Sequence, residues 1–207
     1  MTPPSRRAFA AAALASLLVG CGGPAADRAT NEGRSSRTPP PAAKANGERA
    51  AEALGRSVPA RLLIPAIGVD TPVMGLGLAS DGTMQVPPIT PDDRAGWYRH
   101  SPTPGQVGPS VIIGHVTVGS YGDGVFRDLA RLRRGDTVTA RLENGAAAEF
   151  AVSSVRKVAK ADFPADDVYG DVDRAELRLI TCGGTRTGDG YLDNVIVFAT
   201  MTSARGA

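Results

Sequence analysis

From residue 58 to 204 the chain is a succession of short apolar runs, each stopped by a turn signal before a long helix could form. Residues 60–64 (ARLLI) end at Pro65, and residues 83–86 (TMQV) end at Pro87-Pro88. Residues 110–116 (SVIIGHV) are almost continuously apolar, the pattern of a buried strand. Residues 136–142 (DTVTARL) alternate with period two, then Glu143-Asn144-Gly145 leads into 149–155 (EFAVSSV). Asn-Gly between two strands is a hairpin signal, because the tight turn needs positive φ at its centre. Residues 176–182 (ELRLITC) and 195–200 (VIVFAT) complete the set. Helix is confined to one turn within 126–132 and another near 166–169. Many short strands in one stretch of this length predict an all-β domain, a closed barrel or a sandwich. Aromatic residues make up 5% of the chain, so the core is expected to be Val, Ile, Leu and Ala.

The N-terminus has a different composition. Arg6-Arg7 precede a short apolar stretch, residues 8–19, and then Gly20 and Cys21. A basic start, a short apolar centre and a small residue before the cut describe an export signal over residues 1–20. Residues 5–9 (SRRAF) resemble a twin-arginine motif, and residues 18–21 (LVGC) resemble a bacterial lipobox. Cys21 is then the lipidated residue, and two acyl chains give a stable membrane anchor. The alternative is an uncleaved signal anchor. Residues 21–57 are rich in Ala, Gly, Pro, Ser and charge, with Leu54 the one large apolar side chain after Cys21. Such a segment buries too little surface to offset its ordering entropy, so it reads as a disordered tether. Residues 58–204 form the folded domain and 205–207 a tail. Arg6 and Arg7 account for the whole surplus of 23 basic over 21 acidic residues. A balanced mature chain does not suit nucleic acid, which calls for a basic patch. No apolar run reaches the ~18–20 residues of a bilayer span.

Cysteine and histidine usage narrows the chemistry. There are two cysteines, and if Cys21 carries lipid, Cys182 is left unpaired in an exported protein. An unpaired cysteine there suggests an intermolecular bond or a reactive thiol. A buried inert cysteine, or a Cys21–Cys182 disulfide, is the alternative. Cys182 ends an apolar run and is followed by Gly183-Gly184, a place where a side chain can emerge from a rigid base. A thiol nucleophile needs a partner that takes up and returns a proton. His100 and His115 are the only histidines; His115 also ends an apolar run, whereas His100 lies in a loop-like YRHSP context. No CxxC, HxH or HExxH spacing occurs, so neither a metal nor a cofactor is expected. Asp166, Asp167, Asp171 and Asp173 read as a solvated loop.

Several segments, in order, are similar to the sortases, and within them to the class F sortases of actinobacteria. Arg61 to Val69 (RLLIPAIGV) with Thr71-Pro72-Val73 resembles the first strand. Gly96-Trp97-Tyr98-Arg99 resembles the loop before the histidine strand, and Ile113-Gly114-His115-Val116 that strand itself. Leu179 to Gly184 (LITCGG) resembles the nucleophile strand, and Tyr191 to Val197 (YLDNVIV) the strand after it. The resemblance implies a closed eight-stranded sortase-type β-barrel. It also implies a cysteine transpeptidase that cleaves a Leu-Pro-x-Thr-Gly-type sorting signal through a thioacyl-enzyme. The partners implied are secreted proteins bearing a C-terminal sorting signal and an amine acceptor such as a peptidoglycan precursor. Cys182 carries over as nucleophile and His115 as acid/base. The family's arginine has no counterpart in residues 190–195 (GYLDNV), and Arg186 is the one arginine between Cys182 and Ala199. Arg186 is therefore expected as oxyanion stabiliser, with Arg99, Arg127 and Arg178 as alternatives. Two competing readings are a non-catalytic surface lipoprotein with a degenerate fold and an L,D-transpeptidase-like enzyme. The second normally has a histidine beside its cysteine, which Thr181-Cys182-Gly183 lacks.

Overall fold

In the computed structural model the described residues are 52–91, 93–188 and 190–207. The expected export signal, the lipobox cysteine and most of the expected tether lie outside them. Eight strands form a closed barrel in the order β1-β2-β3-β4-β7-β8-β6-β5. They are β1 (Pro59–Ile64), β2 (Val69–Leu76), β3 (Ala95–Tyr98), β4 (Gly108–Ile113), β5 (Thr137–Leu142), β6 (Ala147–Ala159), β7 (Ala175–Thr187) and β8 (Gly190–Arg205). Closure comes from β1, which pairs antiparallel with both β2 and β5. Asn144-Gly145 makes the expected β5–β6 hairpin, with Gly145 at φ 89°. The two expected helical turns are present, a 3-10 turn at Leu129–Arg131 and α1 at Ala165–Tyr169.

The barrel has two apolar faces. Inside lie Leu62, Ile64, Trp97, Ile112, Leu177, Leu179 and Val197, together with Phe126 and Phe150. Alternation along the strands sends Val111, Ile113, Ile180, Ile196 and Phe198 outward. They are covered by Leu76 of β2, Tyr98 of β3, Val168 of α1, and Met84 and Phe163 from loops. This outer cluster explains why 108–113 is apolar without alternation: β4 is buried on both faces, as expected for a strand paired in parallel with β7. Gly96, on the outer face of β3, leaves the space that Leu76 fills.

Three sequence expectations need correction. Residues 83–86 form no strand; Met84 makes only an isolated bridge to Leu78. Pro87-Pro88 removes two backbone donors and restricts the residue before it, so a ladder cannot grow there. Residues 96–98, expected in a loop, belong to β3. The strand that holds His115 in the sequence reading stops at Ile113. Strand β2 holds Pro72 and Gly75, residues that disfavour a strand interior. It tolerates Pro72 because the strand changes partner there, pairing with β1 through Val69–Pro72 and with β3 from Val73. The late strands are far longer than their apolar runs, with 13 residues in β7 and 16 in β8. Residues 54–57 pack on the barrel: the Leu54 N–H donates to the Gly105 carbonyl (2.8 Å), and Arg56 stacks over Trp97.

Candidate active site

Cys182 lies on β7 where the strand leaves the barrel wall, and it is a free, half-buried thiol. Its neighbour Thr181 points the other way and is 4% exposed. The Thr181 hydroxyl donates to the Gly114 carbonyl at 2.7 Å, and the Gly114 N–H donates to the Ile180 carbonyl at 3.1 Å. These two bonds tie the end of β4 to β7 one residue before each candidate catalytic side chain. The β4–β7 register pairs Ile113 with Ile180. That is the last β4–β7 pair, so His115 and Cys182 each follow it by two residues, His115 in the connection after β4 and Cys182 on β7.

A row runs from Cys182 across the sheet. Cys182 stands opposite Asn194 on β8, and Asn194 stands opposite Val158 on β6. Cys182, Asn194 and Val158 therefore share one face of the sheet, next to Ile180 and Ile196. His115 is half-buried and held at two points. Its carbonyl accepts from the Phe126 N–H (2.9 Å), and its Nε2 lies 2.7 Å from the Pro87 carbonyl oxygen. A carbonyl can only accept, so Nε2 carries the hydrogen in that bond and Nδ1 is the ring atom left for proton exchange. Gly124 is required beside this segment, because a Cβ there would meet the His115 carbonyl. His100, by contrast, is exposed and rests against Tyr98, 5.3 Å between ring centres.

Arg186 does not share the row. Between the pairs Gly183–Asp193 and Arg186–Tyr191, β7 has two residues where β8 has one. That bulge, with Gly184 at φ 77°, exchanges the faces beyond it. Arg186 consequently lies over Tyr191, 5.9 Å from its ring centre, on the face turned away from Cys182. The Tyr191 hydroxyl reaches Thr117 Oγ1 (3.4 Å), which brings this arm against the segment after His115. The other arginines are engaged elsewhere. Arg178 is 3% exposed, pairs with Glu176 at 2.6 Å and stacks on Phe198. Arg127 pairs with Asp123, and the Arg99 side chain lies over Gly75 of β2 and Gly77 just after it.

Sequence reasoning missed two neighbours of the candidate residues. The Pro87 carbonyl is a backbone group with no sequence signature. Asn194 is found only once the hairpin bulge is counted correctly, which places it across from Cys182. Among the described residues no three His, Cys, Asp or Glu side chains converge as a metal set. A cavity of about 200 Å³ lined by Met74, Pro88, Thr90 and Arg94 opens beside the connection that carries Pro87.

A family model for the sortase domain matches residues 62–202. The fold is similar to that of the SrtA sortase from Actinomyces oris, at 22% identity and TM-score 0.54, covering 78% of this chain and 89% of that one. Listeria monocytogenes sortase A matches at 16% identity and TM-score 0.52, covering 73% and 92%. A Clostridium perfringens sortase D5 transpeptidase matches at 22% identity and TM-score 0.51, covering 70% and 81%. Among curated proteins none matches the chain.

Proposed function

The chain belongs to the sortase family, whose members are cysteine transpeptidases of the cell surface, and from that premise we propose that it cleaves a Leu-Pro-x-Thr-Gly-type sorting signal and transfers the protein to an amine. The observation that supports this most is a free Cys182 thiol and a half-buried His115, each two residues past the Ile113–Ile180 pair of neighbouring strands. The Cys182 thiolate attacks the Thr carbonyl, and the electron pair of the C=O bond moves to oxygen. When the tetrahedral species collapses, the C–N bond breaks and His115 gives its Nδ1 proton to the departing glycine amine. A thioester remains on Cys182. An amine on a peptidoglycan precursor or a pilin then attacks the thioester carbon; the C–S bond breaks, Cys182 leaves as thiolate, and His115 takes the amine's proton at Nδ1. The cavity lined by Met74 and Pro88 suits the Leu-Pro part of the signal. We place the enzyme with the class F sortases on its motifs.

The test is intact-mass analysis of the protein mixed with Leu-Pro-x-Thr-Gly peptides of varied third residue. The expected result is an acyl adduct on Cys182 and release of the glycine-side fragment. No adduct and no cleavage with any peptide overturns the assignment.

Arg186 is proposed to supply positive charge to the reacting carbonyl from the hairpin arm. Acting through space rather than by contact, it is worth about tenfold in rate, ~1.4 kcal/mol. Arg186→Ala is therefore expected to lower kcat/KM about tenfold in a peptide-cleavage assay. Unchanged kinetics would move the role elsewhere.

The anchor is proposed to be lipid on Cys21, with residues 21–57 as the spacer that carries the barrel away from the bilayer. Cells treated with globomycin are expected to accumulate the unprocessed chain. Normal processing would favour a signal anchor instead.

A further inference from the structure

The oxyanion needs a donor on the face where Cys182 emerges, and Arg186 lies on the other. Resting on the transpeptidase reading above, we propose that the side-chain amide of Asn194 is that donor, a catalytic residue contacting the carbonyl oxygen of the scissile bond. Asn194 is the register partner of Cys182 on β8. Side chains of directly opposed residues have their Cβ atoms ~4.5–5.5 Å apart. A carbonyl carbon bonded to the Cys182 sulfur therefore has its oxygen within reach of the Asn194 amide, while in the mechanism above His115 is occupied with the leaving amine.

The surroundings favour this assignment. Asn194 is half-buried, and among the described residues its carboxamide has no hydrogen-bond partner. The adjacent Asp193, on the other face, is held by Lys157 at 3.0 Å, so no carboxylate competes at the site. Ile113, Ile180 and Ile196 make the face apolar. In such a setting a neutral amide is a strong donor to a developing oxyanion and adds no charge to be desolvated in the resting enzyme. The Nδ2 group has two hydrogens, and one suffices. When thiolate adds to the carbonyl carbon, the electron pair displaced onto oxygen meets an Nδ2–H. When the C–N bond breaks, that pair returns to re-form C=O and the contact weakens. The gain is therefore confined to the transition state.

The experiment compares the full chain with Asn194→Ala, Asn194→Asp and Arg186→Ala, following acylation by a Leu-Pro-x-Thr-Gly peptide. Methanethiosulfonate labelling of Cys182 across pH is the control for the thiol and for folding. Asn194→Ala is expected to lower kcat/KM about 10²–10³-fold, chiefly in kcat, with labelling unchanged. Asn194→Asp, nearly the same shape but carrying a negative charge, is expected to fall at least as far. The loss in Asn194→Ala should exceed that in Arg186→Ala. Asn194→Ala within about threefold of the parent, or a larger loss in Arg186→Ala, overturns the proposal. So does a labelling profile that shifts along with the lost activity, since the residue would then act on the thiolate. If the parent protein itself forms no acyl-enzyme, the transpeptidase reading falls, and this one with it.

Discussion

Cys182→Ala is expected to abolish cleavage of a fluorogenic Leu-Pro-x-Thr-Gly peptide and to remove methanethiosulfonate label from the segment containing residue 182. The substitution takes away the atom that forms the acyl bond, and no neighbour in the row can replace it. Asn194 and Val158 are not nucleophiles, and His115 is bonded to the Pro87 carbonyl through Nε2. Mapping the label to a peptide fragment matters because Cys21 is a second thiol in unprocessed protein. The fold should survive, because Cys182 is only half-buried and alanine keeps its Cβ. Cleavage retained in a folded Cys182→Ala protein would remove the thiol from the mechanism.

The largest expected effect on stability lies two and three pleat repeats below the thiol on the same strand. Glu176 and Arg178 both point outward from β7; their side chains are 10% and 4% exposed and 2.6 Å apart. Arg174 adds a second bond to the same carboxylate at 2.7 Å. Removing one partner of a buried pair leaves the other charge stranded, at a cost of about 3–5 kcal/mol. Glu176→Ala should show that loss in urea unfolding. A change under about 1 kcal/mol, the worth of a surface pair, would mean that water reaches Arg178.

The same group sets a pH dependence. Burial alone would raise the Glu176 carboxyl, but the hydrogen bonds from Arg174 and Arg178 outweigh it and hold the group below its usual range. A depressed folded-state value means that the stabilisation is complete above the unfolded carboxylate value and is lost as pH falls through the folded one. Unfolding midpoints should thus drop in acid, below about pH 4, more steeply for the parent than for Glu176→Gln.

The parts of this molecule that were legible in the sequence are those where a local pattern and its tertiary setting agree. Asn144-Gly145 makes its hairpin, and the outward–inward alternation of 136–142 persists in β5. Cys182 and His115 could be singled out because both end apolar runs. What stayed hidden depends on partners distant in sequence. Strand β2 changes neighbours at Pro72, and only the presence of β3 beside it explains why a proline is acceptable. The arms of β7 and β8 beyond the wall hold Gly183, Gly184, Thr185 and Gly190, residues that carry no apolar signal and pair only because the hairpin is already aligned. The bulge there also decided which face Arg186 occupies. Two residues against one cannot be read from composition, yet it determines whether an arginine or an asparagine faces the thiol.

The ladder also fixes where anything joined to the barrel must sit. Arg61, Arg141, Ala147 and Arg205 form one row across β1, β5, β6 and β8. From Ala147 to Val158, β6 runs for about 35 Å at its usual rise before reaching the row of the thiol. The first and last strands thus begin and end at the base, remote from the reacting sulfur. A fusion partner joined directly after β8 would sit at that base, away from the end of the barrel that carries Cys182.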